Sequence, residues 1–243
     1  AREFGMGLSQ LGNLFFVQFA GYLTAVVAWG AASDRRGLSI INPSLLILSV
    51  GLAAFGLSQR FLSLLLAALV LGVGSGACET MVSLIVAATN PSREGEYLNL
   101  SQVFFGVGAV GGPLIASALI DGGMSWRIMY LVTAALTGAI WLAMTRQSFP
   151  EARTGRPDPV GDSTGESTER LPRVHELQDQ ILPVLCLGMG LYVASEIGIA
   201  SWLPAYFETE LGSSALLAGL SASLYWGFMA GGRLVVARIS KVR

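Results

Sequence analysis

Apolar residues in this chain come in long unbroken blocks. They show neither the one-sided spacing of a surface helix nor the alternation of a half-buried strand. No charged residue appears from Leu11 to Ala32, and Glu79 is the only one between Phe61 and Ser92. Blocks of this length predict membrane-spanning helices, because about 20 apolar residues cross the hydrocarbon core and a helix satisfies its own backbone there. Seven spans are expected, over 9–33, 43–58, 62–90, 97–120, 126–145, 180–207 and 214–236, the second of them short. The fold class is therefore an all-α polytopic membrane protein. The spans are rich in Gly, Ala and Ser, which let helices approach closely in a bilayer, and most glycines are assigned that packing role.

One segment interrupts the pattern. Ser148 to Arg173 is rich in Pro, Gly, Glu, Ser and Thr and poor in apolar residues, the composition of a mobile linker. The V-H-E-L-Q-D-Q stretch after it is read as the start of a helix along the membrane surface, with His175 a solvated loop residue. The linker separates two groups of helices, which a faint repeat relates. Shifted by 206 positions, Ala20-Gly21-Tyr22 falls on Trp226-Gly227-Phe228 and Arg35 on Lys241. Paired halves are a feature of transporters.

Composition narrows the function classes. Only 13% of residues are charged, about half of what a soluble domain carries, and mean hydropathy is +0.60. A net charge of -1 gives no reason to expect a nucleic-acid partner. Cys78 and Cys186 lie in apolar blocks, so no disulfide framework is read. No H-E-x-x-H and no Cys/His cluster is present, and no metal or cofactor is expected. A retinal Schiff base needs a lysine within a span, and the single lysine, Lys241, is in the tail.

Basic residues set the orientation. One side of the membrane collects Arg35, Arg36, Arg93, Arg146, the arginines of the long loop, Arg238, Lys241 and Arg243; the other has Arg2, Arg60 and Arg127. Loops 34–42, 91–96 and 146–178 are thus expected in the cytoplasm.

Two carboxylates stand inside spans, Glu79 and Glu196. An intramembrane acid marks a functional site by default. A carboxyl out of water can carry a proton and release it when water reaches it, which is the physics of proton coupling. Ser75 is one turn from Glu79, and Tyr192, Glu196 and Ile199 share a stripe with Trp202 and Tyr206 beside it. Asn99 and Gln102 are three apart in the next span, and Tyr225 stands in the last. Amides, acids and aromatic faces suit a polar ring-shaped solute. Trp202 and Tyr206 fit an interfacial aromatic belt equally well. Pro113 and Pro204 fall in mid-span, where a kink could serve gating or be a static bend.

The segment G-A-A-S-D-R-R-G, Gly30 to Gly37, resembles the Gly-x-x-x-Asp-Arg-x-Gly loop of the major facilitator superfamily in Gly30, Asp34, Arg35 and Gly37, with Leu38 where that family usually has Arg or Lys. G-A-C-E-T around Glu79, L-N-L-S-Q-V-F from Leu98, Y-V-A-S-E-I-G-I-A-S-W-L around Glu196 and Y-W-G-F-M-A-G-G-R-L with Gly232-Arg233 resemble its fucose permease branch of sugar:proton symporters. The resemblance runs through nearly the whole chain in order. It implies that the spans are helices two to eight of twelve. Residues 1–147 would be most of the N-terminal half, without its first helix. Residues 148–178 would be the central cytoplasmic loop, and 179–243 the start of the C-terminal half.

It further implies a secondary transporter in a bacterial inner membrane, moving a small polar solute, a sugar, by proton symport and alternating access. Glu79 would take and release the proton, with Glu196 a second candidate. Asn99, Gln102, Glu196, Trp202 and Tyr225 would line the solute pocket. Gly30, Asp34, Arg35, Gly37 and Arg233 would brace the cytoplasmic gate. A drug:proton antiporter of the same superfamily is the alternative: Gly108, Gly112 and Pro113 resemble its fifth-helix motif, with Ala116-Ser117 in place of the closing Gly-Gly. A non-transporting membrane receptor or regulator is the alternative from another class.

Overall fold

The computed structural model describes residues 4–89, 91–147 and 172–240, apart from the side chains of 172–180, 182 and 233–240. Seven α-helices follow in order: α1 (Leu8–Arg36), α2 (Ile41–Leu57), α3 (Phe61–Thr89), α4 (Glu94–Asp121), α5 (Trp126–Met144), α6 (Pro172–Thr209) and α7 (Ala215–Ser240). Short 3-10 turns at Gly37–Ile40 and Pro91–Arg93 precede α2 and α4. Each predicted span has its helix. Two expectations need correction. Asp34 and Arg35 lie in the last turn of α1 and not in a loop, because the helix runs to Arg36 before Gly37 breaks it. The V-H-E-L-Q-D-Q stretch forms no separate surface helix; its backbone is the beginning of α6. The linker 148–171 and Lys241 lie outside the described residues.

Among the described residues six stretches are long and apolar enough to cross a membrane, and the first, Leu8–Leu57, contains both α1 and α2. Packing resolves that stretch into two passes. Leu14 of α1 clusters with Leu64 and Ala68 of α3, and Tyr22 lies against Gly76, so α1 and α3 run parallel. Leu45 of α2 clusters with Met81, Leu48 meets Gly74 and Gly51 meets Leu71, so α2 runs antiparallel to α3. The chain therefore reverses between α1 and α2. Gly37 makes the reversal possible: its φ of 68° with ψ of -164° is a conformation essentially restricted to glycine. Its amide caps α1 by donating to the carbonyl of Ser33. Gly37→Ala is expected to destabilise the protein by about 1–3 kcal/mol, read as a lower melting temperature of the detergent-solubilised protein.

Contacts divide the chain into two compact units, one of 1–105 with 122–154, the other of 106–121 with 155–243. In the first, three apolar clusters succeed one another along the helices. Leu38, Ile40, Ile41, Leu45 and Met81 pack at the Gly37 end. Leu52, Leu71 and Ala134 hold the middle, and Leu14, Leu64 and Ala68 the opposite end. α5 joins antiparallel to α2: the Ser49 hydroxyl donates to the Ala134 carbonyl at 2.9 Å, and Arg127 Nη1 donates to the Gly56 carbonyl at 2.8 Å. Arg127 also lies over the Trp126 ring, 4.8 Å from its centre. An arginine near the last carbonyls of α2 complements the helix dipole there.

In the second unit the later part of α4 packs antiparallel on α7. Ser223 donates to the Val110 carbonyl at 2.7 Å, and Gly219 sits against the Ser117 side chain. Large apolar side chains such as Phe16, Val27, Phe104 and Phe228 stand more than two-thirds exposed. Such a surface suits lipid or further helices, not water. The chain is an integral membrane protein.

Candidate functional site

Glu79 stands on α3 roughly 27 Å of helix rise from Phe61 and 15 Å from Thr89, well inside the bilayer. Its side chain is exposed within this chain. A carboxylate facing lipid at that depth carries a penalty of about 3 kcal/mol or more, so the Glu79 face of α3 must border protein or a wet cavity. One oxygen, Oε2, accepts a hydrogen bond from the Tyr22 hydroxyl of α1 at 3.0 Å. Ser75 is not a partner, since its hydroxyl donates to the Gly72 carbonyl of its own helix at 2.9 Å, and Thr80 likewise donates to Gly76 at 2.8 Å. No basic side chain pairs with Glu79 among the described residues.

Tyr22 escaped the sequence reading as a functional residue. It sits at the midpoint of α1, a tyrosine in mid-span and not at an interface, and that position was the available signal. What places it beside Glu79 is the glycine pair Gly72 and Gly76. A Cβ at Gly72 would strike the Gln18 carbonyl oxygen, and one at Gly76 the Tyr22 carbonyl oxygen. The two backbones are thus in direct contact, and a side chain from α1 reaches the next turn of α3.

Asn99 and Gln102 lie on α4, both exposed and without side-chain hydrogen bonds among the described residues. In the second unit Glu196 is buried, 8% exposed, and the Tyr225 hydroxyl donates to its main-chain carbonyl at 3.3 Å. The structure thus brings Glu196 and Tyr225 together through the backbone of α6. Trp202 is 38% exposed on the same helix, and Tyr206 stacks edge-on with Phe207.

The Gly30–Gly37 segment is the end of α1. Ser33 is buried, and its hydroxyl returns to the Gly30 carbonyl at 2.6 Å. Arg35 and Arg36 occupy the last turn, where positive charge complements the helix dipole. They border a cavity of about 640 Å³ walled by Trp29, Ala32, Ile40 and Pro43. Neither Asp34 nor Arg35 is ion-paired among the described residues. A Cβ at Gly30 would meet nothing within 4 Å, so packing among the described residues does not explain that glycine. Arg233 has its backbone in α7, and its side chain lies outside the described residues.

Comparison with known proteins gives the same direction throughout. A glucose/mannose transporter of Bacillus subtilis is 24% identical over 235 residues, covering 94% of this chain and 56% of the relative. A hexuronate transporter of the same organism is 22% identical over 237 residues, covering 93% and 56%. An uncharacterized MFS-type transporter of Mycobacterium tuberculosis is 30% identical over 165 residues, covering 67% and 23%. The chain spans about half the length of the first two and less of the third. The family model of the Major Facilitator Superfamily matches residues 1–243. Helix pairs laid antiparallel, an acid in mid-membrane, the Gly-x-x-x-Asp-Arg-x-Gly segment at a glycine-made reversal and a family match over the full chain agree: this chain belongs to the Major Facilitator Superfamily.

Proposed function

We propose that the protein is a proton-coupled secondary transporter that carries a sugar-like solute into a bacterial cell by symport, through alternating access across the inner membrane. One observation carries the reading: a carboxylate deep in the membrane, with a tyrosine hydroxyl and, among the described residues, no cation as its partner. An acid serving only to hold helices together would be paired with a buried Arg or Lys. An acid that must gain and lose a proton needs a neutral partner and access to water. The glucose/mannose and hexuronate transporters among the relatives favour a sugar or sugar acid as solute. Enzymatic activity forms no part of the reading.

In this assignment Glu79 takes and releases the proton, with Glu196 as a second titrating acid. Asn99 and Gln102 in the first unit, and Glu196, Trp202 and Tyr225 in the second, are each proposed to contact solute. Gly30, Asp34, Arg35 and Gly37, with Arg233, form the gating elements. The segments 34–42, 91–96 and 146–178 face the cytoplasm.

The test uses the protein in its full natural length, in proteoliposomes with an inward proton gradient and radiolabelled D-glucose, D-mannose or D-glucuronate. Accumulation of one of them above equilibrium, abolished by a protonophore, is expected. Extrusion of a cationic dye, with no accumulation of any of these solutes, would establish the antiporter instead. Binding without flux of any of them would establish a receptor.

A further inference from the structure

We propose that Tyr22 is a positioning residue for proton coupling: its hydroxyl holds the Glu79 carboxyl in place through both the charged and the protonated state. The inference deepens the proposed function and rests on it for the role of Glu79.

The geometry isolates this pair. Tyr22 Oη lies 3.0 Å from Glu79 Oε2 across two helices 57 residues apart in sequence. Of the other polar neighbours of Glu79 on α3, Ser75 and Thr80 commit their hydroxyls to their own helix, and Ser83, one turn on, makes no hydroxyl bond to Glu79 among the described residues. Cys78, the adjacent titratable group, packs instead against the apolar cluster of Ile41, Leu45 and Met81. The Tyr22 ring is steadied by an edge contact with Phe19, 6.2 Å between centres at 64°. The Gly72 and Gly76 contacts with the backbone of Gln18 and Tyr22 leave α1 no room to settle closer. A fixed backbone on each side makes the hydroxyl a fixed reference for the acid.

A tyrosine hydroxyl suits both halves of a proton cycle. It has one hydrogen to donate and lone pairs with which to accept. While Glu79 is ionised, Tyr22 donates to Oε2 in a charge-assisted bond. When a proton from water binds a Glu79 oxygen, the new carboxylic O–H can donate to Tyr22 Oη, whose own hydrogen turns away. Tyr22 keeps its proton throughout; the proton that arrives at Glu79 is the one that later leaves it. Phenylalanine keeps the ring and loses the tether. A free acid can then load and unload its proton out of step with the solute.

Tyr22→Phe tests this in the full-length protein, beside Glu79→Gln. A pH-jump infrared difference spectrum first identifies the protonated-carboxyl stretch that vanishes in Glu79→Gln. In Tyr22→Phe that band is expected to move to higher wavenumber, a change that a merely structural role for Tyr22 would not cause. In proteoliposomes, proton-driven accumulation of the sugar carried by the wild type is expected to fall about tenfold, the weight of one hydrogen bond to a charged group. Counterflow of the same sugar should be unchanged. An unmoved band, unchanged accumulation, or equal losses of accumulation and counterflow would each overturn the proposal. If Glu79→Gln itself accumulates sugar normally, the assignment of Glu79 falls instead, whatever Tyr22→Phe does.

Discussion

Glu79→Gln is expected to reduce proton-driven accumulation to simple equilibration while leaving counterflow intact. An inward gradient of two pH units stores about 2.7 kcal/mol per proton, enough to sustain roughly a hundredfold solute gradient at one proton per solute. Glutamine has the shape of the protonated acid and can accept from the Tyr22 hydroxyl, so the side chain stays placed as if permanently loaded. It cannot release a proton. Exchange of labelled for unlabelled solute needs no net proton movement and continues. The accumulation ratio falls from about a hundred towards one. Measuring uptake and counterflow on the same vesicles separates this outcome from misfolding, which removes both. A Glu79→Gln protein that still concentrates solute from an imposed pH gradient would remove Glu79 from the coupling mechanism.

The second large effect is on assembly of the helices. Gly72→Leu should prevent a stable fold, whereas Gly30→Leu should leave it intact. A side chain at 72 meets the Gln18 carbonyl, which is backbone and cannot rotate aside as a side-chain end would. The penalty therefore exceeds the roughly 1–3 kcal/mol of ordinary core overpacking. Position 30 has open space on the same measure. Yield of monodisperse protein in detergent, with thermal unfolding of whatever is recovered, reads the difference. Equal yields for the two variants would show that the α1–α3 contact is not what holds this unit together.

Much of the fold was legible because a bilayer imposes a simple rule on sequence. Long uncharged blocks must be helices, and the expected span 62–90 differs from α3 by one residue at each end. The break at Gly37 was legible as a motif, and its cause, a backbone conformation that only glycine adopts, required coordinates. The extent of α1 was harder to read. Charged Asp34, Arg35 and Arg36 look like a loop in sequence, yet charges at a helix terminus sit at the membrane surface and do not end the helix. Glu79 and Glu196 stood out because charge is rare in apolar blocks. Tyr22 did not, since its significance lies in a contact between residues 57 apart. Helical spacing relates neighbours on one helix only. It suggested Ser75 for Glu79, whereas the shared partner came from α1 through glycines read as packing.

Those glycines bear on how α3 can move. Gly72 and Gly76 face α1, while Gly74, half a turn away, takes the Leu48 backbone of α2 within 2.5 Å of where its Cβ would be. α3 is therefore keyed on two sides at nearly one height. A helix held this way can tilt together with its neighbours, but it cannot spin about its long axis without forcing backbone through backbone. The compass bearing of Glu79 around α3 is set by these contacts. Any change in what the carboxylate meets has to come from motion of α1, α2 and α3 as one piece, or from what flows past them.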